Sequence, residues 1–145
     1  MIWAEMGVEL GVALAAGACI MIVIMTAEWM LAASPQAEQK GLALLRSWLS
    51  PEQAQQYDAH KHFEVIGSDT GTRYRIRHGQ MMNIDQLDSA GNTICGWCFL
   101  PIGAAGDCML AQKIALETFE RKALAIANRS SKSTWRQAVR SQPSW

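Results

Sequence analysis

Residues 62–77 read HFEVIGSDTGTRYRIR, and their apolar positions repeat every second residue. Phe63 and Val65 flank Glu64, while Tyr74 and Ile76 alternate with Arg73, Arg75 and Arg77. That period marks a strand with one buried face. Between the two runs lies Ser68-Asp69-Thr70-Gly71, a cluster of turn-forming residues. Folding the chain across this turn sets Val65 against Tyr74 and Phe63 against Ile76, so the apolar residues share a face. The same register places Glu64 opposite Arg75, an opposite-charge cross-strand pair.

Working outward, a third strand is expected around Met82–Leu87, with a turn at Ser89-Ala90-Gly91-Asn92. A fourth is expected over Ile94–Leu100, ending at Pro101. Gly103–Gly106 reads as a loop. Asp107 is expected to cap a long helix through about Asn128, with Leu110, Ile114, Ala123, Leu124 and Ala127 among its apolar positions. Upstream, Ser34-Pro35 opens a helix to Leu49 whose apolar face is Leu42, Leu45 and Trp48. Ser50 and Gln53 form a capping box around Pro51. The domain read from residues 50–129 is therefore α+β, a four-stranded antiparallel meander packed on a C-terminal helix. Residues 34–49 make a linker helix, and 130–145 a basic-aromatic tail.

The N-terminal part is of a different kind. From Leu10 to Ala27 the chain runs LGVALAAGACIMIVIMTA without a charge or a proline. As a helix this run is about 27 Å long, close to the hydrocarbon thickness of a bilayer. Trp3 and Trp29 lie beyond its two ends, where interfacial aromatics are expected. Residues 1–33 are accordingly expected to be a single transmembrane anchor. The first 30 residues contain no Lys or Arg, which is unlike a cleaved signal peptide. Glu5 and Glu9 precede the run and Lys40 and Arg46 follow it. The positive-inside rule then places the N-terminus outside and the domain in the cytoplasm of a bacterial inner membrane. Gly7 with Gly11, Gly11 with Ala15, and Ala13 with Gly17 form small pairs four apart, through which another membrane helix can approach. The run contains no His to ligate a haem or pigment.

Formal net charge is zero, with 13 Lys and Arg against 13 Asp and Glu, so no bulk attraction to nucleic acid is implied. Three constellations could carry chemistry. Cys95-Gly96-Trp97-Cys98 has the spacing of a redox dithiol or half a zinc site. Its flanks read as a strand, however, and on a regular strand residues three apart point to opposite faces. Such a pair would be structural thiols unless Gly96 makes a bulge. A zinc site would need further ligands from His60, His62, His78 or Cys108, and His60-Lys61-His62 lacks the usual histidine spacing. Arg73, Arg75 and Arg77 line one sheet face, with His62 nearby. They could bind an anion, or simply form a solvated face partly neutralised by Glu64. In the tail, Trp135, Arg136 and Arg140 suit a membrane interface. No phosphate loop, dinucleotide fingerprint, nucleophile elbow or HExxH motif occurs. These residues call for no metal and no cofactor.

Residues 49–129 resemble a recurrent small domain of proteobacterial proteins, rhizobial ones included. The resemblance rests on LSPEQAQQYDAHKHFEVIGSDTGTRYRIRHG, MNIDQLD, GWCFLP and DCMLAQKIALETFERKALAIAN. It is most specific at Phe63-Glu64-Val65, Gly67-Ser68, Tyr74-Arg75-Ile76, Asn83 and Ala111-Gln112-Lys113. That domain has no established activity, so no catalytic residue carries over. Where it usually has an aliphatic residue, this chain has Cys108. The expectation is then a non-catalytic, single-span accessory subunit of a larger inner-membrane complex, of respiratory or photosynthetic type. Its partners would be other membrane subunits and the lipid bilayer. The alternatives are a tethered thiol or metal protein using Cys95 and Cys98, and a tethered anion-binding module using Arg73, Arg75 and Arg77.

Overall fold

The computed structural model describes residues 34–99 and 103–140. The expectations placed on residues 1–33 (the membrane helix, its small-residue stripe and its two tryptophans) lie outside the described residues, as do Leu100, Pro101 and Trp145. Among the described residues no helix is long and apolar enough to cross a membrane.

The described chain runs α1 (Pro35–Trp48), α2 (Pro51–His60), β1 (His62–Ile66), β2 (Arg73–Arg77), β3 (Ile84–Leu87), β4 (Thr93–Cys98), α3 (Ala105–Ile126), β5 (Asn128–Ser130) and α4 (Lys132–Arg140). Both early helices start as their sequences dictate. The Ser34 hydroxyl accepts from the Ala37 amide, and Ser50 and Gln53 complete a reciprocal capping box. On α1 the buried residues are Gly41 and Leu45, whereas Trp48, expected on the apolar face, is exposed. Lys61, with φ 56°, ends α2 and turns the chain into β1.

The sheet is antiparallel in the order β1-β2-β3-β4-β5. Its first hairpin has the register expected from the alternation, with Phe63 opposite Ile76, Val65 opposite Tyr74 and Glu64 opposite Arg75. A bulge beside Gln86 and Leu87 shifts the pairing of β3 with β4. The four-stranded expectation is corrected by β5, which pairs Asn128–Ser130 with Gly96–Cys98. On the outer edge, α2 lies over β1. Gln53 Nε2 donates to the Glu64 carbonyl at 2.8 Å, and the Glu64 amide donates to Gln56 Oε1 at 2.9 Å.

Helix α3 departs from its expected start. It begins at Ala105 with no side-chain cap of its own, and Asp107 lies inside its first turn. The cap comes from α1, where the Glu38 carboxylate accepts from the Ala105 amide at 3.0 and 3.2 Å. The two helices are nearly in backbone contact, since a Cβ on Gly106 would lie 2.2 Å from the Gly41 carbonyl carbon. Leu45, Tyr57, Phe63, Val65, Tyr74, Ile76, Ile84, Met109, Leu110 and Leu116 form the core between helices and sheet.

Midway, α3 is kinked at Phe119, whose φ and ψ are −140° and 40°. The β1–β2 turn inserts there. The Ser68 amide donates to the Leu116 carbonyl at 3.0 Å, and the Glu120 amide donates to the Ser68 hydroxyl at 3.3 Å. In an unbroken helix residues 116 and 120 would bond each other. One residue on, the Arg121 amide donates to Asp69 Oδ2 at 2.8 Å. In return the buried Glu120 carboxylate accepts from the Asp69 and Thr70 amides, both at 2.8 Å, from the Thr70 hydroxyl at 2.5 Å and from the Tyr74 hydroxyl at 2.7 Å. Gly67 leaves the room this needs, because a Cβ there would lie 2.3 Å from Glu120 Cδ. A second polar contact ties α3 to the segment after β2. The Asn83 and Gln112 side-chain amides exchange two hydrogen bonds of 2.9 Å, both residues being buried.

Burial alone would raise the Glu120 pKa, but the donors around the carboxylate outweigh it and hold it below the ordinary 4.5. A folded-state pKa below the unfolded one gives stability that is complete above the unfolded value and disappears as pH falls through the folded one. Glu120→Gln should therefore cost about 1–3 kcal/mol near neutral pH, since it loses a charged acceptor inside a buried network. Urea unfolding should also show a shallower acid-side loss of stability in the variant than in the wild type. Equal pH dependence in the two proteins would refute the assignment.

Candidate functional site

The face of the sheet away from α3 collects the charged residues of the strands. Alternation from the core positions places His62 and Glu64 of β1, all three β2 arginines, Asp85 of β3 and Gly96 of β4 on this side. Glu64 bridges two of the arginines, meeting Arg73 at 2.6 Å and Arg75 at 3.0 Å. Burial works to raise the pKa of Glu64, but the two guanidinium groups override it and hold the carboxyl below its ordinary value. Arg77 donates to the Met82 carbonyl at 2.8 Å and pairs through Nε with Asp85 at 3.3 Å. Its own pKa is lowered by burial against the opposing pull of Asp85. Arg75 Nε is buried without a hydrogen-bond partner among the described residues.

Helix α4 covers the end of this face nearest Gly96. Trp135, expected at a membrane interface, is instead buried to 1 % exposure. Its indole N–H donates to Asp85 Oδ1, and its ring carries the Arg77 guanidinium 5.3 Å from its centroid. The ring lies flush on the strand, since a Cβ on Gly96 would come within 1.8 Å of it. Residues 132–140, within the stretch read as a basic-aromatic tail, form a docked helix, while Arg136 and Arg140 remain exposed. Ser131 starts the helix, accepting from the Thr134 amide at 3.3 Å through its hydroxyl and from the Trp135 amide at 2.8 Å through its carbonyl. Sequence reasoning missed this docking. The available signal was a glycine in the middle of a strand, which often marks the close approach of another group.

Cys95 and Cys98 are free thiols on opposite sides of β4. Cys95 faces the core, where its thiol and the Trp97 indole both donate to Gln86 Oε1, at 3.2 and 3.0 Å. Cys98 shares the Gly96 side of the strand and contacts the Phe99 carbonyl at 3.6 Å. Alternation keeps the two apart, and the bulge falls before Cys95 rather than between them. His60 and His62 stack with ring centroids 5.4 Å apart. Burial first, then Arg75 and His60, push the His62 pKa below its ordinary value. His78 Nδ1 lies 2.7 Å from the Tyr57 hydroxyl. Burial, then Asp107 and Glu38, raise the Cys108 thiol. Among the described residues no group of three His, Cys, Asp or Glu side chains is placed to hold a metal ion.

Comparison of the chain with protein-family models, with curated proteins and with solved structures returns no match. Of the three arginines, two are joined through one carboxylate and the third is held between Asp85 and Trp135. They act first as structure.

Gly96→Ala should expel the Trp135 ring at a cost of about 1–3 kcal/mol. Amide exchange over residues 132–140 should then accelerate while β1 and β2 stay protected, and unchanged exchange there would overturn the docking. Mild oxidation of the native protein should leave Cys95 and Cys98 unlinked. Recovery of a Cys95–Cys98 disulfide by peptide mass mapping would show that the strand geometry is wrong.

Proposed function

We propose that the chain is a non-catalytic accessory subunit of a bacterial inner-membrane complex, anchored by residues 10–27 with its α+β domain in the cytoplasm. The observation that carries this reading is on α1. Leu44 and Trp48 are 47 % and 58 % exposed and stand one helical turn apart. An exposed tryptophan beside an exposed leucine is the kind of anchor that protein interfaces bury. The rest of the domain supports it. The strand arginines, the thiols and the buried carboxylates are engaged in the domain's own packing, so surface contact is what remains to offer a partner. The small residues at Gly7, Gly11, Ala13, Ala15 and Gly17 give the anchor a face for neighbouring membrane helices. The resemblance of residues 49–129 to a recurrent bacterial domain without established activity is compatible with a supporting role.

Purifying the tagged full-length protein in mild detergent should bring down a defined set of membrane subunits in fixed stoichiometry. Leu44→Glu with Trp48→Glu should lose that set while leaving thermal unfolding within a few degrees of wild type, as both side chains are exposed. A clean monomer from the native membrane would overturn the proposal.

A further inference from the structure

Helix α4 docks on the sheet through Trp135, while its cations are exposed. Lys132, Arg136 and Arg140 follow one another at intervals of four, so they fall within about 80° of arc along about 12 Å of helix. All three are exposed and none lies within 4.0 Å of a carboxylate among the described residues, although Lys132 is near enough to Asp88 to help lower its pKa. Charge is also segregated along the sequence. Residues 121–145 carry six cations (Arg121, Lys122, Arg129, Lys132, Arg136 and Arg140) and no carboxylate, whereas all 13 carboxylates precede them. Zero net charge thus conceals a strongly basic C-terminal segment.

We propose that α4 is an electrostatic contact for anionic phospholipid, laying Lys132, Arg136 and Arg140 on the headgroups without inserting into the bilayer. The proposal rests on the anchored reading, because α1 begins eight residues after the apolar run and the domain then stays within reach of the membrane surface. A straight row of cations suits a plane of negative charge, which is what a cytoplasmic leaflet presents. Insertion is disfavoured because the one aromatic residue of the helix, Trp135, is buried against Gly96 and Asp85. The same burial removes the stacking platform that single-stranded nucleic acid would use. Contact of this kind is steered by charge and weakened by salt.

The test uses the full-length protein in nanodiscs of phosphatidylcholine, with and without phosphatidylglycerol, read by amide exchange over residues 132–140. Anionic discs should slow that exchange by about tenfold, with the protection lost in high salt. The variant combining Lys132→Gln, Arg136→Gln and Arg140→Gln should show no difference between discs while keeping its Trp135–Asp85 contact and its unfolding temperature. Equal exchange of the wild type in both discs overturns the lipid contact and leaves the anchored reading intact. Protein that does not stay with either disc overturns the anchored reading itself. Protection by added duplex DNA in neutral discs that matches the effect of phosphatidylglycerol would also overturn the lipid assignment, by showing a surface for any polyanion.

Discussion

The buried carboxylate of Glu120 is the constraint around which the domain is arranged. A charge with no access to water is tolerated only where donors surround it. Four donors do so here, all drawn from the β1–β2 hairpin, about 50 residues earlier in the chain. Meeting that demand fixes three things together. The turn must sit against α3, the helix must open at Phe119 to admit it, and Tyr74 must point its hydroxyl down the core face of β2. Ser68 and Asp69 then bond the backbone groups exposed at the break, so helix and hairpin complete each other. Neither element would have this shape alone.

How much of this could be read in advance depended on distance along the chain. The hairpin register was legible because Phe63, Val65, Tyr74 and Ile76 specify it by alternation, and a slip of one residue would turn all of them outward. The capping box at Ser50 and Gln53 was legible because it is local. The true start of α3 was hidden because its cap, Glu38, belongs to another helix. The fifth strand and the docked helix were hidden for a related reason. Serines and cations after residue 128 resemble a solvated tail, and Trp135 acquires its place only through Asp85 and Gly96 on strands formed much earlier. The turn residues are marked locally, but nothing local marks Glu120 as buried, because its partners lie about 50 residues earlier in the chain.

The candidate site shows the same division. The alternation that predicted one arginine face was correct for Arg73, Arg75 and Arg77. What those arginines do was not contained in that alternation. Glu64 holds two of them, while Asp85 and the indole hold the third. Gly67, Ser68, Tyr74, Asn83 and Gln112 join hairpin, helix and connecting loop. Their chemistry is architectural.

The side-chain bonds on the outer edge of β1 bear on whether a second strand can add there. An open strand edge is a template on which a second chain can add, and repetition of that step leads to fibrils. Gln53 and Gln56 occupy the amide and carbonyl of Glu64, where an incoming strand would have to register. The opposite edge, β5, is three residues long and carries Arg129 at its centre, too short and too charged to propagate a ladder. Both ends of the sheet are thereby discouraged from growth. Association through such a sheet is then left to side chains rather than to backbone.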